Sequence, residues 1–122
     1  MNAIQSHRKT SSRLLAAQAE EYLQEHYTQP DLALEKLCLH LHISPSYFSM
    51  VFKKETKKTF LQYLTELRMN RALTLLSSTE LKTAQIARQV GLPDPSYFSY
   101  CFKKHFGFPP SQARKRKEED GV

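Results

Sequence analysis

Apolar residues recur along this chain at spacings of three and four, without runs rich in Val, Ile and Thr, so the pattern predicts an all-helical protein. A first helix is expected from about Arg13 to Tyr27, where Leu14, Leu15, Ala19, Tyr22 and Leu23 form an apolar stripe behind a Ser11/Ser12 cap; Gln29 and Pro30 end it. A second, about Leu34 to Leu41, lines up Leu34, Leu37, Cys38 and Leu41. His42, Ile43 and Ser44 then make a tight turn, and Ser44 caps a third helix that opens on Pro45 and buries Phe48, Val51 and Phe52. The longest element runs from about Thr59 to Leu76, with Phe60, Leu64, Leu67, Ala72, Leu75 and Leu76 on its apolar face. A fifth helix covers about Thr83 to Val90 and is closed by Gly91; Asp94 and Pro95 open a sixth that lasts to about Phe106. Gly107 to Pro110 turn the chain into a short seventh helix that runs into Arg114, Lys115, Arg116 and Lys117.

The chain repeats itself at an offset of 50. SPSYFSMVFKK from Ser44 aligns with DPSYFSYCFKK from Asp94, with eight of eleven positions identical, or nine if the two capping residues are counted as equivalent. Upstream, Leu37 and Cys38 face Ile86 and Ala87 once one extra residue is allowed in the second turn, GLPD. Each copy is thus a helix with a small residue inside, a short turn, a capped second helix and a basic end, which is the layout of a helix-turn-helix. The small residue, Cys38 or Ala87, lets the next helix cross closely, and Gly91 permits a backbone with positive φ.

With Phe48, Val51 and Phe52 inside, the third helix turns Ser46, Tyr47, Ser49, Met50 and Lys53 outward; the sixth buries Phe98, Cys101 and Phe102 and exposes Ser96, Tyr97, Ser99, Tyr100 and Lys103. A solvated helix normally carries Glu, Lys and Gln on that face. Short hydroxyls and aromatics suit base edges and thymine methyls in a major groove, and the lysines behind them suit phosphates. The paired lysines alone would be read as a solvated face, but they follow the same aromatic in both copies. Tyr47 and Tyr97 are equally compatible with half-core positions whose hydroxyls reach the surface. About 18 residues of connecting helix would span roughly 27 Å at about 1.5 Å per residue, so two reading heads in successive major grooves are expected.

Charge agrees with a polyanionic partner. There are 18 Lys and Arg against 12 Asp and Glu; Glu118, Glu119 and Asp120 stand together near the end, so residues 1–117 carry 18 minus 9, or +9. Such a balance attracts nucleic acid or an anionic membrane. The length of 122 residues fits one domain or two small subdomains, and leaves little room for a large catalytic core. No segment has the apolar length to span a bilayer or the apolar core of a signal peptide, so no membrane association and a cytoplasmic location are expected.

Cys38 and Cys101 lie on apolar faces as buried thiols, in no CxxC spacing, and no His or acid is spaced to activate either as a nucleophile. His40 and His42 point apart at a helix end and read as exposed or capping residues. The chain is therefore expected to be no enzyme and to need no metal or cofactor. The ARKRK run reads as an auxiliary phosphate contact or a loose tail. The rival class is a helical protein-interaction module without specific DNA binding, whose association would be insensitive to salt.

The second copy, IARQVGLPDPSYFSYCFKKHFGFPPSQAR, the first copy and the connecting pattern LRMNRALTLL together resemble the AraC/XylS family over about residues 13–116. The stretch EEYLQEHYTQPDLALEKLCLHLHISPSYFS is most similar to output domains of YesN-type response regulators. The resemblance implies two homeodomain-like three-helix units joined by a long helix: an N-terminal linker at 1–12, subdomains at 13–58 and 79–116, the connecting helix at 59–78 and an acidic tail at 117–122. It also implies transcription regulation by binding double-stranded DNA, with Ser46, Tyr47, Ser49, Met50, Ser96, Tyr97, Ser99 and Tyr100 facing bases and Lys53, Lys54, Arg88, Lys103 and Lys104 touching phosphates. Arg68 matches a family arginine expected to be an internal tie. RNA polymerase and an N-terminal sensing or receiver domain are the other partners implied. Two positions depart from the pattern: Lys57 stands where a Gly should end the first reading helix, and Ala113 replaces the aromatic before the final Arg.

Overall fold

A computed structural model describes the backbone of residues 2–120 and the side chains of residues 11–115. The described residues form seven helices and no strand: α1 (Asn2–His26), α2 (Leu34–Leu41), α3 (Pro45–Thr56), α4 (Phe60–Ser78), α5 (Thr83–Gln89), α6 (Pro95–Phe106) and α7 (Pro110–Asp120). Ser11 and Ser12 lie inside α1 rather than at its cap, since no Gly or Pro precedes them to interrupt the helix. The α4 start is a capping box: Thr59 Oγ1 accepts from the Gln62 N–H at 3.1 Å, and Gln62 Oε1 accepts from the Thr59 N–H at 2.9 Å.

The described residues divide into two compact units, residues 2–26 with 32–64, and residues 27–31 with 65–120; the dividing point falls inside α4. In the first unit α1 packs on α2 and α3. Ala16, Ala19, Tyr22 and Leu23 of α1 meet Leu37 and Cys38 of α2 and Phe48, Val51 and Phe52 of α3 in its core. Phe48 and Phe52 stack at 5.1 Å, and Phe52 meets Tyr63 edge-on at 5.5 Å. Leu14, expected on the apolar stripe, is 56% exposed, because the buried face centred on Ala16, Ala19 and Leu23 turns it to the far side. Tyr22 lies between His26 at 4.1 Å and His40 at 4.5 Å, which gives both imidazoles an aromatic neighbour.

The second unit is built on Met69, Ala72, Leu75 and Leu76 of α4, Ile86, Ala87 and Val90 around α5, Phe98 and Phe102 of α6, and Ala113 of α7. Met69 belongs to this core although the apolar pattern passed over it; Leu67, expected there, is only half-buried. Cys101 is also half-buried rather than enclosed. Phe106 and Phe108 close the cluster against Phe102, at 4.7 and 6.0 Å between rings. Ala113, in place of an aromatic, is buried among them.

Arg68 is the one buried charged residue described, and its environment accounts for it. Its Nε donates to the Tyr27 carbonyl and its Nη2 to the Gln29 carbonyl, both at 2.9 Å, so the guanidinium pins the segment that follows α1. Tyr27 lies just past the helix end, where backbone carbonyls lack intrahelical partners. Burial holds the Arg68 pKa below its usual value, with Cys101 and Tyr97 acting the other way. Gly91, at φ 89°, sits against this tie: a Cβ there would lie 2.7 Å from the Tyr27 carbonyl oxygen and 3.1 Å from Arg68 Nε and Nη2. A side chain is excluded both by backbone conformation and by space.

Two non-glycine residues also adopt left-handed backbones, His42 at φ 60° and Lys57 at φ 66°. Lys57 occupies in the first unit the place of Gly107, φ 86°, in the second, so the departure noted in the sequence leaves the turn itself unchanged. A left-handed side-chain residue carries a steric penalty of about 1 kcal/mol. Lys57→Gly is therefore expected to stabilise the protein by about 1 kcal/mol, whereas Gly91→Ala should destabilise it by at least about 2 kcal/mol, both read from urea unfolding midpoints. Arg68→Met, which strands two carbonyls, should lose about 2–4 kcal/mol, and Arg68→Lys should recover only part of it because one ammonium replaces a two-pronged donor.

Candidate nucleic-acid interface

Each unit contains one short helix, a tight turn and a capped second helix, and the two turns are closed by the same bonds. In the first, the Ile43 N–H donates to the Cys38 carbonyl at 3.1 Å and the His42 N–H to Leu39 at 3.3 Å; in the second, Leu92 donates to Ala87 at 2.9 Å and Gly91 to Arg88 at 3.2 Å. A left-handed residue, His42 or Gly91, turns the chain at this point. His42 keeps an exposed side chain, whereas position 91 has room only for hydrogen.

The reading helices start at extended caps. Ser44 Oγ accepts from the Tyr47 N–H at 3.2 Å, and Asp94 Oδ1 accepts from the N–H groups of Ser96 and Tyr97 at 3.0 and 3.4 Å. Pro45 and Pro95 follow at the first helical position, where no N–H is needed. Phe48 and Phe52 in α3, and Phe98 and Phe102 in α6, anchor one side of each helix in its core with at most 1% exposure. Their spacing of four fixes which residues face outward.

On α3 that outward face carries Ser46, Tyr47, Ser49 and Met50, all exposed, with Lys53 and Lys54 in the last turn. Tyr47 is 47% and Met50 62% exposed, so neither is a core residue despite its apolar surface. On α6, Ser96, Tyr97, Tyr100, Lys103 and Lys104 are exposed, while Ser99 is half-buried. Arg88 is exposed in the last turn of α5. In each unit a hydroxyl-rich and apolar first half is thus followed by a cationic second half.

Several features of this face emerge only with the side chains in place. Tyr97 and Tyr100 are nearly parallel, 6.3 Å between centroids and 21° between planes, and Lys104 Nζ lies 5.9 Å from the Tyr100 ring centre. The spacings of three and four on a helix were the available signal. A hydrogen bond with the Cys101 side chain holds the Tyr97 phenol above its usual pKa, with lesser contributions from burial and from Tyr100, and the Arg68 charge pulling downward. In the first unit Lys57 and Lys58 extend the cationic end beyond Lys54; Lys57 Nζ donates to the Lys54 carbonyl at 3.1 Å and Lys58 Nζ lies 5.8 Å from the Tyr63 ring.

Cys38 lies on the inner side of α2. Burial, and then the nearby Glu35 charge, push its thiol pKa up, which disfavours the thiolate a nucleophile requires. The described residues contain no group of three or more His, Cys, Asp or Glu placed to hold a metal ion, and no described helix is long and apolar enough to cross a membrane.

This repeated, capped and outward-reading architecture defines the helix-turn-helix class. A family model described as a helix-turn-helix domain matches residues 37–116, and the chain belongs to that family, the AraC-type domains of transcriptional regulators. It is 41% identical over 101 residues to the HTH-type transcriptional regulator YisR of Bacillus subtilis, covering 83% of this chain and 35% of that one. Among solved structures, the C-terminal domain of AraT, a response regulator from Geobacillus stearothermophilus, is 41% identical with a TM-score of 0.82, over 84% of each chain. The C-terminal domain of the response regulator YesN from Fusobacterium nucleatum is 39% identical with a TM-score of 0.78, over 80% of this chain and 95% of that one. The chain spans about a third of the length of the curated relatives it matches.

Removing a cap should separate local from global effects. Asp94→Ala and Ser44→Ala are each expected to lower stability by about 1 kcal/mol, the former more, because Asp94 accepts two N–H bonds and its charge favours the helix N-terminus. Thermal unfolding at neutral pH checks the order.

Proposed function

We propose that this chain binds double-stranded DNA sequence-specifically as the output module of a bacterial transcription regulator, working in the cytoplasm without metal or cofactor. The observation that carries the reading is the duplicated face: two helices, each anchored by a buried Phe pair, expose Ser and Tyr, with Met50 on α3 and a second Tyr on α6, ahead of lysines. Ser46, Tyr47, Ser49, Met50, Ser96, Tyr97, Ser99 and Tyr100 are the base-facing set; Lys53, Lys54, Arg88, Lys103 and Lys104 hold phosphates. The subdomains of residues 13–58 and 79–116 read one box each. The signal comes from a receiver or sensing domain that precedes the module, as fits the likeness to response-regulator C-terminal domains. Binding beside a promoter then brings the regulator into contact with RNA polymerase.

Selection of duplexes from a randomised library at moderate salt tests this directly. Two enriched boxes about one helical turn apart are expected; a single box would reduce one unit to a phosphate clamp, and an unenriched pool with salt-insensitive binding would overturn the reading in favour of a protein-interaction module. Lys53→Ala or Lys103→Ala should weaken every duplex similarly and shallow the dependence of log K on log salt by about 0.9. Met50→Ala or Tyr100→Ala should instead change which sequences are preferred.

A further inference from the structure

We infer that α6 reads the C5-methyl group of thymine through the paired rings of Tyr97 and Tyr100, so that the second unit is a methyl-reading head and the first is not its equivalent. The inference rests on the DNA-binding function proposed above and names the base chemistry of one of its two faces.

The two rings are 55% and 60% exposed and nearly parallel, which gives the outer face of α6 a continuous aromatic surface. They come from the third and sixth residues of the helix, in the half that enters a major groove in helix-turn-helix proteins. Lys104 beside the Tyr100 ring places a cation next to the pair, where a phosphate can take it up. A ring pressed on the N7, O6, N6 or N4 of a base would leave those hydrogen-bonding groups without water or partner. Thymine alone presents an apolar group in the major groove. A stiff aromatic pair also loses little side-chain freedom on contact.

The first unit lacks this arrangement. There the flexible thioether of Met50 replaces the Tyr100 ring. Met50 adapts to several base edges; the α6 pair is selective.

The test uses the duplex enriched by library selection, with each thymine replaced in turn by deoxyuridine, and fluorescence anisotropy of the full chain. One or two thymines are expected at which loss of the methyl weakens binding roughly three- to ten-fold. That discrimination should vanish in Tyr100→Ala, persist in Met50→Ala, and survive Tyr97→Phe, which keeps the ring. Undiminished binding to every deoxyuridine duplex overturns the inference and leaves DNA binding intact, as does discrimination that persists in the Tyr97→Ala/Tyr100→Ala double variant. Failure to enrich any duplex overturns the functional reading and this inference together. Circular dichroism of each variant establishes that the helices remain folded.

Discussion

The turn between the two helices of each unit is the constraint on which the rest depends. A reading helix can lie across its partner only if the chain reverses within a few residues, and this requires one residue with a left-handed backbone. His42 and Gly91 fill that place and allow the paired bonds from Ile43 to Cys38 and from Leu92 to Ala87. The acceptors of those bonds are the small residues Cys38 and Ala87, at most 2% exposed, so the same residue that ends the turn also makes room for the crossing. The turn therefore sets the angle at which the second helix of each unit crosses the first.

What the turn positions, the phenylalanines hold. Phe48 with Phe52, and Phe98 with Phe102, occupy one side of their helices, and a helix pinned on one side has no choice about the other. Tyr47, Met50, Tyr97 and Tyr100 are exposed for this reason and not because their own chemistry prefers water. Large apolar surface left outside a core in this regular way marks a place of contact.

The duplicated plan is not executed identically. The second unit contains a buried cation, Arg68, whose two carbonyl partners come from the segment after α1 and whose neighbour Gly91 has lost its side chain to make space. At the equivalent turn in the first unit, His42 keeps a side chain that points into solvent. The ends of the reading helices differ too: the first continues into Lys57 and Lys58, the second into Gly107 and Phe108, which closes over Phe102. One head gains charge where the other gains core.

Helix number, the repeat, the proline-led caps and the anchoring phenylalanines were all legible in the sequence, because each is a local signal: a period of three to four, a capping residue, or a motif seen twice. The family match follows from the same residues. The start of α1 was not legible, since a helix without a Gly or Pro before it carries no stop signal, and neither were the exposure of Leu14 nor the burial of Met69, which depend on where the core lies around each helix axis. The tie from Arg68 to Tyr27 and Gln29 and the space that forbids a side chain at Gly91 belong to tertiary structure. Sequence by itself determined the elements and their outward faces, because periodicity and capping act within a few residues; tertiary structure decided which side chains meet, because contacts between residues some forty positions apart exist only once the chain has packed.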